Sequence, residues 1–228
     1  VNVEPKFGGR YLDENKSYAR QTVAHNAVAV DQACQNNFDV ELADSKHGIP
    51  HFFESSNQDL QAVSAFAEEF YPGVDQQRSV VLINDDALEA PLLLDVFRLS
   101  SDTEHSYDYA LQYQGQIVRC TSDYQTHKEL APMGDNFGYQ HLWNEAQGKA
   151  SENNLVSWLQ GNSYYSWISA SETSDELFFT RVGANDPEFN LRSETSFILR
   201  RQAKSTVFAN VLETHGYFNE AIEASTNA

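Results

Sequence analysis

Asn154-Leu155-Val156-Ser157-Trp158-Leu159-Gln160-Gly161-Asn162-Ser163-Tyr164-Tyr165-Ser166-Trp167-Ile168-Ser169-Ala170 decides the fold class. The runs Asn154–Leu159 and Tyr164–Ala170 are rich in aromatic and β-branched residues, and Gln160-Gly161-Asn162 between them tolerates turn geometry. The stretch therefore reads as two strands about a turn. Trp158, Tyr164, Tyr165 and Trp167, with Trp143 upstream, offer the rings of a sugar-stacking platform. Their alternation along strands makes core packing the default.

The same pattern recurs outward in both directions. Strands are expected at Gln21–Asp31, Ser79–Asn84, Pro91–Leu99, Ser106–Tyr113, Gln116–Cys120, Glu176–Val182, Thr195–Arg201 and Ser205–Thr214. Turn clusters such as Asn84-Asp85-Asp86, Tyr113-Gln114-Gly115 and Gly183-Ala184-Asn185-Asp186-Pro187 separate them. Leu60, Val63, Phe66, Ala67 and Phe70 fit a helical stripe, whereas Leu60, Ala62, Ser64 and Phe66 fit a strand; strand-like neighbours favour the strand. Short apolar runs punctuated by turns point to an all-β fold of stacked antiparallel sheets, a β-sandwich.

The 228 residues suffice for one large domain or two small ones, with a sizeable core. Acidic residues outnumber basic ones 33 to 15, a formal charge of −18. Such a surface repels nucleic-acid phosphates and anionic lipid, and suits a salty medium that screens its self-repulsion. No apolar run approaches the roughly 20 residues of a membrane span. Cys34 and Cys120 exclude a thiolate zinc cluster and leave open two buried thiols or one disulfide. A chain trimmed at its start is expected, since Val1 stands where a Met would begin a whole protein.

Against the acidic background, residues 1–20 carry Lys6, Arg10, Lys16 and Arg20 against Glu4, Asp13 and Glu14, a net of +1. Within that leader, Gly8-Gly9-Arg10-Tyr11-Leu12 joins paired glycines, which let backbone approach a ligand, to a bidentate carboxylate clamp and a phenol. A phenol beside a cation can shuttle a proton. The bland alternative is an exposed leader with solvated charges. His25 lies in the small-residue run Val23-Ala24-His25-Asn26-Ala27-Val28. A lone histidine there is ordinarily a satisfied structural residue, the alternative being a metal ligand or general base. His47 and His51, with Asp44 before them, allow a local zinc site, although Gly48 and Pro50 argue against a helical pair. No phosphate-binding glycine loop, GxSxG elbow or HExxH helix is present, and no glycosidase carboxylate pair can be picked out.

Taken as a set, several stretches resemble the polysaccharide lyase family that holds the exo-acting oligoalginate lyases, with a heparinase II/III-like C-terminal architecture. They are Asn2-Val3-Glu4 through Leu12, Ser17–Asn26, Phe70–Val74, His105-Ser106-Tyr107-Asp108, Gly138–Trp143 and Phe178–Leu191. The resemblance spans about residues 2–215 and implies that the whole chain is the β-sandwich domain of such an enzyme. The α/α toroid that precedes it in the family would be absent, and further strands would follow Ala228. The family cleaves uronate linkages by β-elimination in a cleft between toroid and sheets. On that likeness Tyr11 matches the family's first-shell tyrosine, and His25 one ligand of a structural zinc whose other ligands lie upstream. Arg10 and Lys6 would lend positive potential toward alginate oligosaccharides or a related polyuronate. Ala27 departs from the pattern, where Thr usually follows His-Asn, and trims one hydrogen bond. The fragment alone is expected to be inactive, and a periplasmic or secreted location is expected, with the cytoplasm left open. The rival readings are a non-catalytic carbohydrate-binding or structural β-sandwich.

Overall fold

The computed structural model of the protein describes residues 9–219. Fourteen strands are formed among them: β1 Val28–Val30, β2 Ile49–Glu54, β3 Leu60–Tyr71, β4 Val74–Ile83, β5 Leu92–Ser100, β6 His105–Tyr113, β7 Gln116–Cys120, β8 Tyr124–Pro132, β9 Leu142–Lys149, β10 Asn154–Gln160, β11 Ser163–Ser169, β12 Glu176–Val182, β13 Thr195–Ala203 and β14 Thr206–Tyr217. They make two sheets, one of six strands in the order β1-β6-β13-β12-β9-β8 and one of eight in the order β2-β3-β4-β5-β14-β11-β10-β7. The stretch from Asn154 to Ala170 is the hairpin β10–β11, with Gln160 opposite Ser163. Gly161, the first of its two turn residues, has φ +59°, the sign that matches a two-residue hairpin to strand twist.

The period-2 pattern becomes packing between the sheets. Tyr107, Tyr109 and Leu111 on β6, Leu177 and Phe179 on β12, and Phe197 and Leu199 on β13 face Phe97 and Leu99 on β5, Val156 and Trp158 on β10, Trp167 on β11 and Phe208 on β14 in one core. Trp167 and Trp158 are therefore core rings and not a platform; Trp167 sits 4.7 Å from Phe197 by ring centroids. The intervening residues of the six-stranded sheet, Ala29, Ala110, Phe178, Val182 and Ile198, point to its other face and enter a second apolar cluster. Tyr18, Ala19, Val23 and Ala24 cover them, so the central strands of this sheet are buried on both faces.

Two expectations change. Gln21–Asp31 is not one strand: Thr22–Ala24 is a 3-10 turn, His25–Ala27 is irregular and only Val28–Val30 pairs. Residues 21–24 are all buried, so no single face organises a strand there. The Thr22 hydroxyl also accepts from the Gln35 amide at 3.0 Å, tying the turn to the next loop. Strands β2, β8 and β9 were not expected. β2 and β8 are edge strands exposed throughout, and each carries a proline, Pro50 and Pro132, as edge strands tolerate. The ambiguous stretch from Leu60 is strand, paired on both sides by β2 and β4. Cys34 is buried and Cys120 half-buried, and both are free thiols.

Candidate functional site

The segment from Gly9 to Ala27 is a ribbon laid over the outer face of the six-stranded sheet. A 3-10 turn Gly9–Tyr11, a π-helical turn Asn15–Ala19 and the 3-10 turn Thr22–Ala24 follow one another. Apolar anchoring alternates with exposure along it. Leu12, Tyr18, Val23 and Ala24 pack downward, whereas Arg10, Tyr11 and His25 remain exposed.

Polar contacts fix the ribbon's position. Buried His141 accepts or donates at both ring nitrogens, with Nε2 2.8 Å from the Ser17 hydroxyl and Nδ1 2.9 Å from the Ala184 carbonyl. A carbonyl only accepts, so Nδ1 donates to Ala184, while Nε2 bonds the Ser17 hydroxyl. One imidazole thus joins the ribbon to the loop after β12. Gly138 has φ +94°, and a Cβ there would come within 2.8 Å of the Val23 side chain, so only glycine lets this loop close over the ribbon. Asn190 Nδ2 donates to Glu14 at 3.1 Å, and Gln112 Nε2 donates to the Val23 carbonyl at 2.9 Å.

Tyr11 is 74% exposed, and Arg10 Nη2 donates to its hydroxyl at 2.6 Å. The guanidinium carbon lies 4.8 Å from the centre of the same ring. The adjacency expected from the sequence is thus a real side-chain contact, presented to solvent. Lys6 and Gly8 lie outside the described residues.

His25 is held by its neighbour. Asn26 accepts from the Gln112 amide through Oδ1 and from Arg78 through its carbonyl, both at 2.8 Å. Arg78 in turn makes a bidentate pair with buried Asp95, Nε to Oδ1 and Nη2 to Oδ2 at 2.8 Å each. His25 borders a groove of about 360 Å³, together with Arg20, Ala27, Cys34, Asp39 and Asp44. Although the residue is exposed by surface area, protein crowds the imidazole enough that desolvation lowers its pKa. A hydrogen bond to the Ala19 backbone opposes the shift. The neutral form is the one that ligates metal. Ala27 contributes only a methyl to the groove wall.

Among the described residues, no three His, Cys, Asp or Glu side chains gather as a metal-holding group. His51 instead lies 3.3 Å from Ser64 and 3.0 Å from Gln77, with Phe66 against its ring. Sequence reasoning missed the groups that hold the ribbon's platform. Asp108 and Arg200 pair at 2.6 and 2.7 Å beneath it, and Tyr139 donates to Asp108 at 2.7 Å. Burial first, then the Asp108 charge, pushes the Tyr139 phenol well above its ordinary pKa, so it stays a donor. His105, Asp108, Tyr139 and His141 lie in stretches that carried the resemblance, but their sequence positions do not show what they touch.

Two stacked antiparallel sheets are a fold shared with heparinase-type lyases. Heparan sulfate lyase HepC from Pedobacter heparinus superposes with a TM-score of 0.53 at 13% identity, covering 88% of this chain and 25% of that one. A heparinase III superposes at 0.59 and 10% identity, over 87% and 25%. The chain belongs to the heparinase II/III-like C-terminal family, whose sequence pattern matches residues 5–216. It is 36% identical to the exo-oligoalginate lyase of Saccharophagus degradans, over 100% of this chain and 32% of that protein. It is also 36% identical to an alginate lyase of Stenotrophomonas maltophilia, over 98% and 30%. The chain thus spans about a third of the length of these relatives. No helix among the described residues is long and apolar enough to cross a membrane.

Proposed function

We propose that this chain is the β-sandwich portion of an exo-acting oligoalginate lyase that cleaves uronate linkages by β-elimination. What carries the reading is the exposed Arg10–Tyr11 pair, in a chain whose two curated relatives are alginate lyases. Elimination removes the proton at C5, expels the oxygen at C4 and leaves a C4=C5 double bond. It requires a base, an acid and a group that neutralises the substrate carboxylate. Tyr11 transfers or positions a proton. Arg10, donating to its oxygen, supports the negative charge that proton loss leaves there. Arg10, with Lys6, also supplies local positive potential toward a polyanion in an otherwise acidic chain.

One tyrosine does not perform all three tasks, so the remaining groups belong to an N-terminal toroid. The 228-residue chain is expected to give no product from short alginate oligomers. A polypeptide extended to the length of the relatives is expected to generate the ultraviolet absorbance of the new double bond. Robust turnover by the chain alone would refute the division of labour.

His25 fits a structural zinc as one ligand: its imidazole is accessible and its lowered pKa favours the neutral form. Zinc sites take three or four protein ligands, so the others come from outside the described residues. The metal would staple sheet to toroid. In the extended protein, His25→Ala is expected to reduce bound zinc from stoichiometric to near zero, with activity falling as docking loosens. Metal analysis showing undiminished zinc would remove His25 from the site.

A further inference from the structure

We infer that the outer face of the eight-stranded sheet is the surface on which two copies of this chain associate. Nothing in this surface depends on the lyase chemistry. Phe97 and Leu99 on β5, Trp167 on β11 and Phe208 on β14 point into the sandwich core. By strand alternation Leu94, Val96, Ile168 and Val211 point the other way. Leu155, Ile168, Val211, Leu94 and Val81 stand side by side on the successive strands β10, β11, β14, β5 and β4. All five are half-buried, and none belongs to either buried cluster. A contiguous apolar stripe left open to solvent marks an interaction surface.

Charge identifies the occupant. Arg98 on β5 stands opposite Val207 at one end of the face, and Glu213 on β14 stands opposite Leu92 at the other. Between those two rows, strands β3, β4, β5, β14, β11 and β10 turn no other charged side chain outward. The face is thus neutral in a chain where acids outnumber bases 33 to 15. Copies of so acidic a protein repel one another least at such a place. Neither Arg98 nor Glu213 has an ion pair among the described residues, although Glu68 and Asp75 border Arg98 at the rim. A two-fold axis across the strands, level with Asp95 and Asn210, exchanges the two ends. It lays Leu94 of one copy over Val96 of the other, and Arg98 of each over the Leu92–Glu213 row of the other. One patch then serves both copies, as an isologous interface requires. Six strands about 4.8 Å apart, contacted over five to seven residues of about 3.4 Å, give a footprint on the order of 600 Å² per copy. The total of about 1,200 Å² is at the small end of stable interfaces, so a micromolar dissociation constant is expected.

Analytical ultracentrifugation of the 228-residue protein should show a monomer–dimer equilibrium between about 1 and 100 µM. Arg98→Glu and Glu213→Arg should each weaken it by about tenfold or more, because each sets like charges against one another twice across the axis. The first substitution makes the chain more acidic and the second less so. Loss in both therefore separates the specific pair from general repulsion. The double variant should restore the dimer. Circular dichroism should be unchanged in all three, since neither side chain is buried. A chain that stays monomeric throughout that range overturns the proposal and gives the face to another partner, a further segment of a longer polypeptide included. A dimer indifferent to the single reversals, or not restored by the double variant, overturns it as well.

Discussion

Tyr11→Phe in the extended enzyme is expected to lower kcat by about 10²–10⁴-fold, the usual cost of losing one proton-transfer group. The fold should not register the change. Tyr11 is 74% exposed, its hydroxyl touches only Arg10 among the described residues, and the apolar anchor of this turn is the next residue, Leu12. Removing an exposed hydroxyl ordinarily changes stability by less than about 0.5 kcal/mol. The informative outcome is thus a split, with kcat collapsing and Tm constant. Near-native turnover would return Tyr11 to the role of a solvated leader residue. A fall in Tm that accompanies the loss would make it a docking residue for the toroid.

The second large effect lies beneath the ribbon. Asp108 is fully buried, accepts two hydrogen bonds from Arg200 and one from Tyr139, and sits on the outer face of β6 between the core residues Tyr107 and Tyr109. Arg200 is itself mostly covered, its guanidinium 4.9 Å from the centre of the Phe178 ring. Replacing a buried ion pair by apolar groups can be neutral, but removing one partner strands the other charge. Asp108→Ala is therefore expected to destabilise the 228-residue chain by about 3–5 kcal/mol, measured by urea unfolding. A loss under about 1 kcal/mol would mean that water reaches Arg200 and that the network does not anchor the ribbon's platform.

These two residues mark where legibility in the sequence ends. Strands with a compact aromatic or β-branched run beside a turn signal were readable, as Glu176–Val182 and the β10–β11 hairpin show. β8, Tyr-Gln-Thr-His-Lys-Glu-Leu-Ala-Pro, has no buried face to impose a period, so nothing in its composition distinguishes it from a loop. β9 buries only Leu142 and Ala146 and was hidden for the same reason. The error at Gln21–Asp31 was of the opposite kind: β-branched and small residues suggested a strand, yet that segment serves as a cover buried on several sides. At the site, Arg10 and Tyr11 are neighbours in sequence, which made their contact foreseeable. Asp108 with Arg200 and Ser17 with His141 are brought together by sheet register and loop closure across about a hundred residues, which no local pattern encodes.

The central claim concerns the chemistry, and the mass of the product tests it most directly. Short alginate oligomers should be incubated with the polypeptide extended to the length of its relatives, and the fragments weighed. β-Elimination conserves mass, so the two fragments sum to the substrate and one of them carries the unsaturated uronate. Saturated fragments heavier in sum by one water would reveal hydrolysis and contradict the account, as would oligomers left intact.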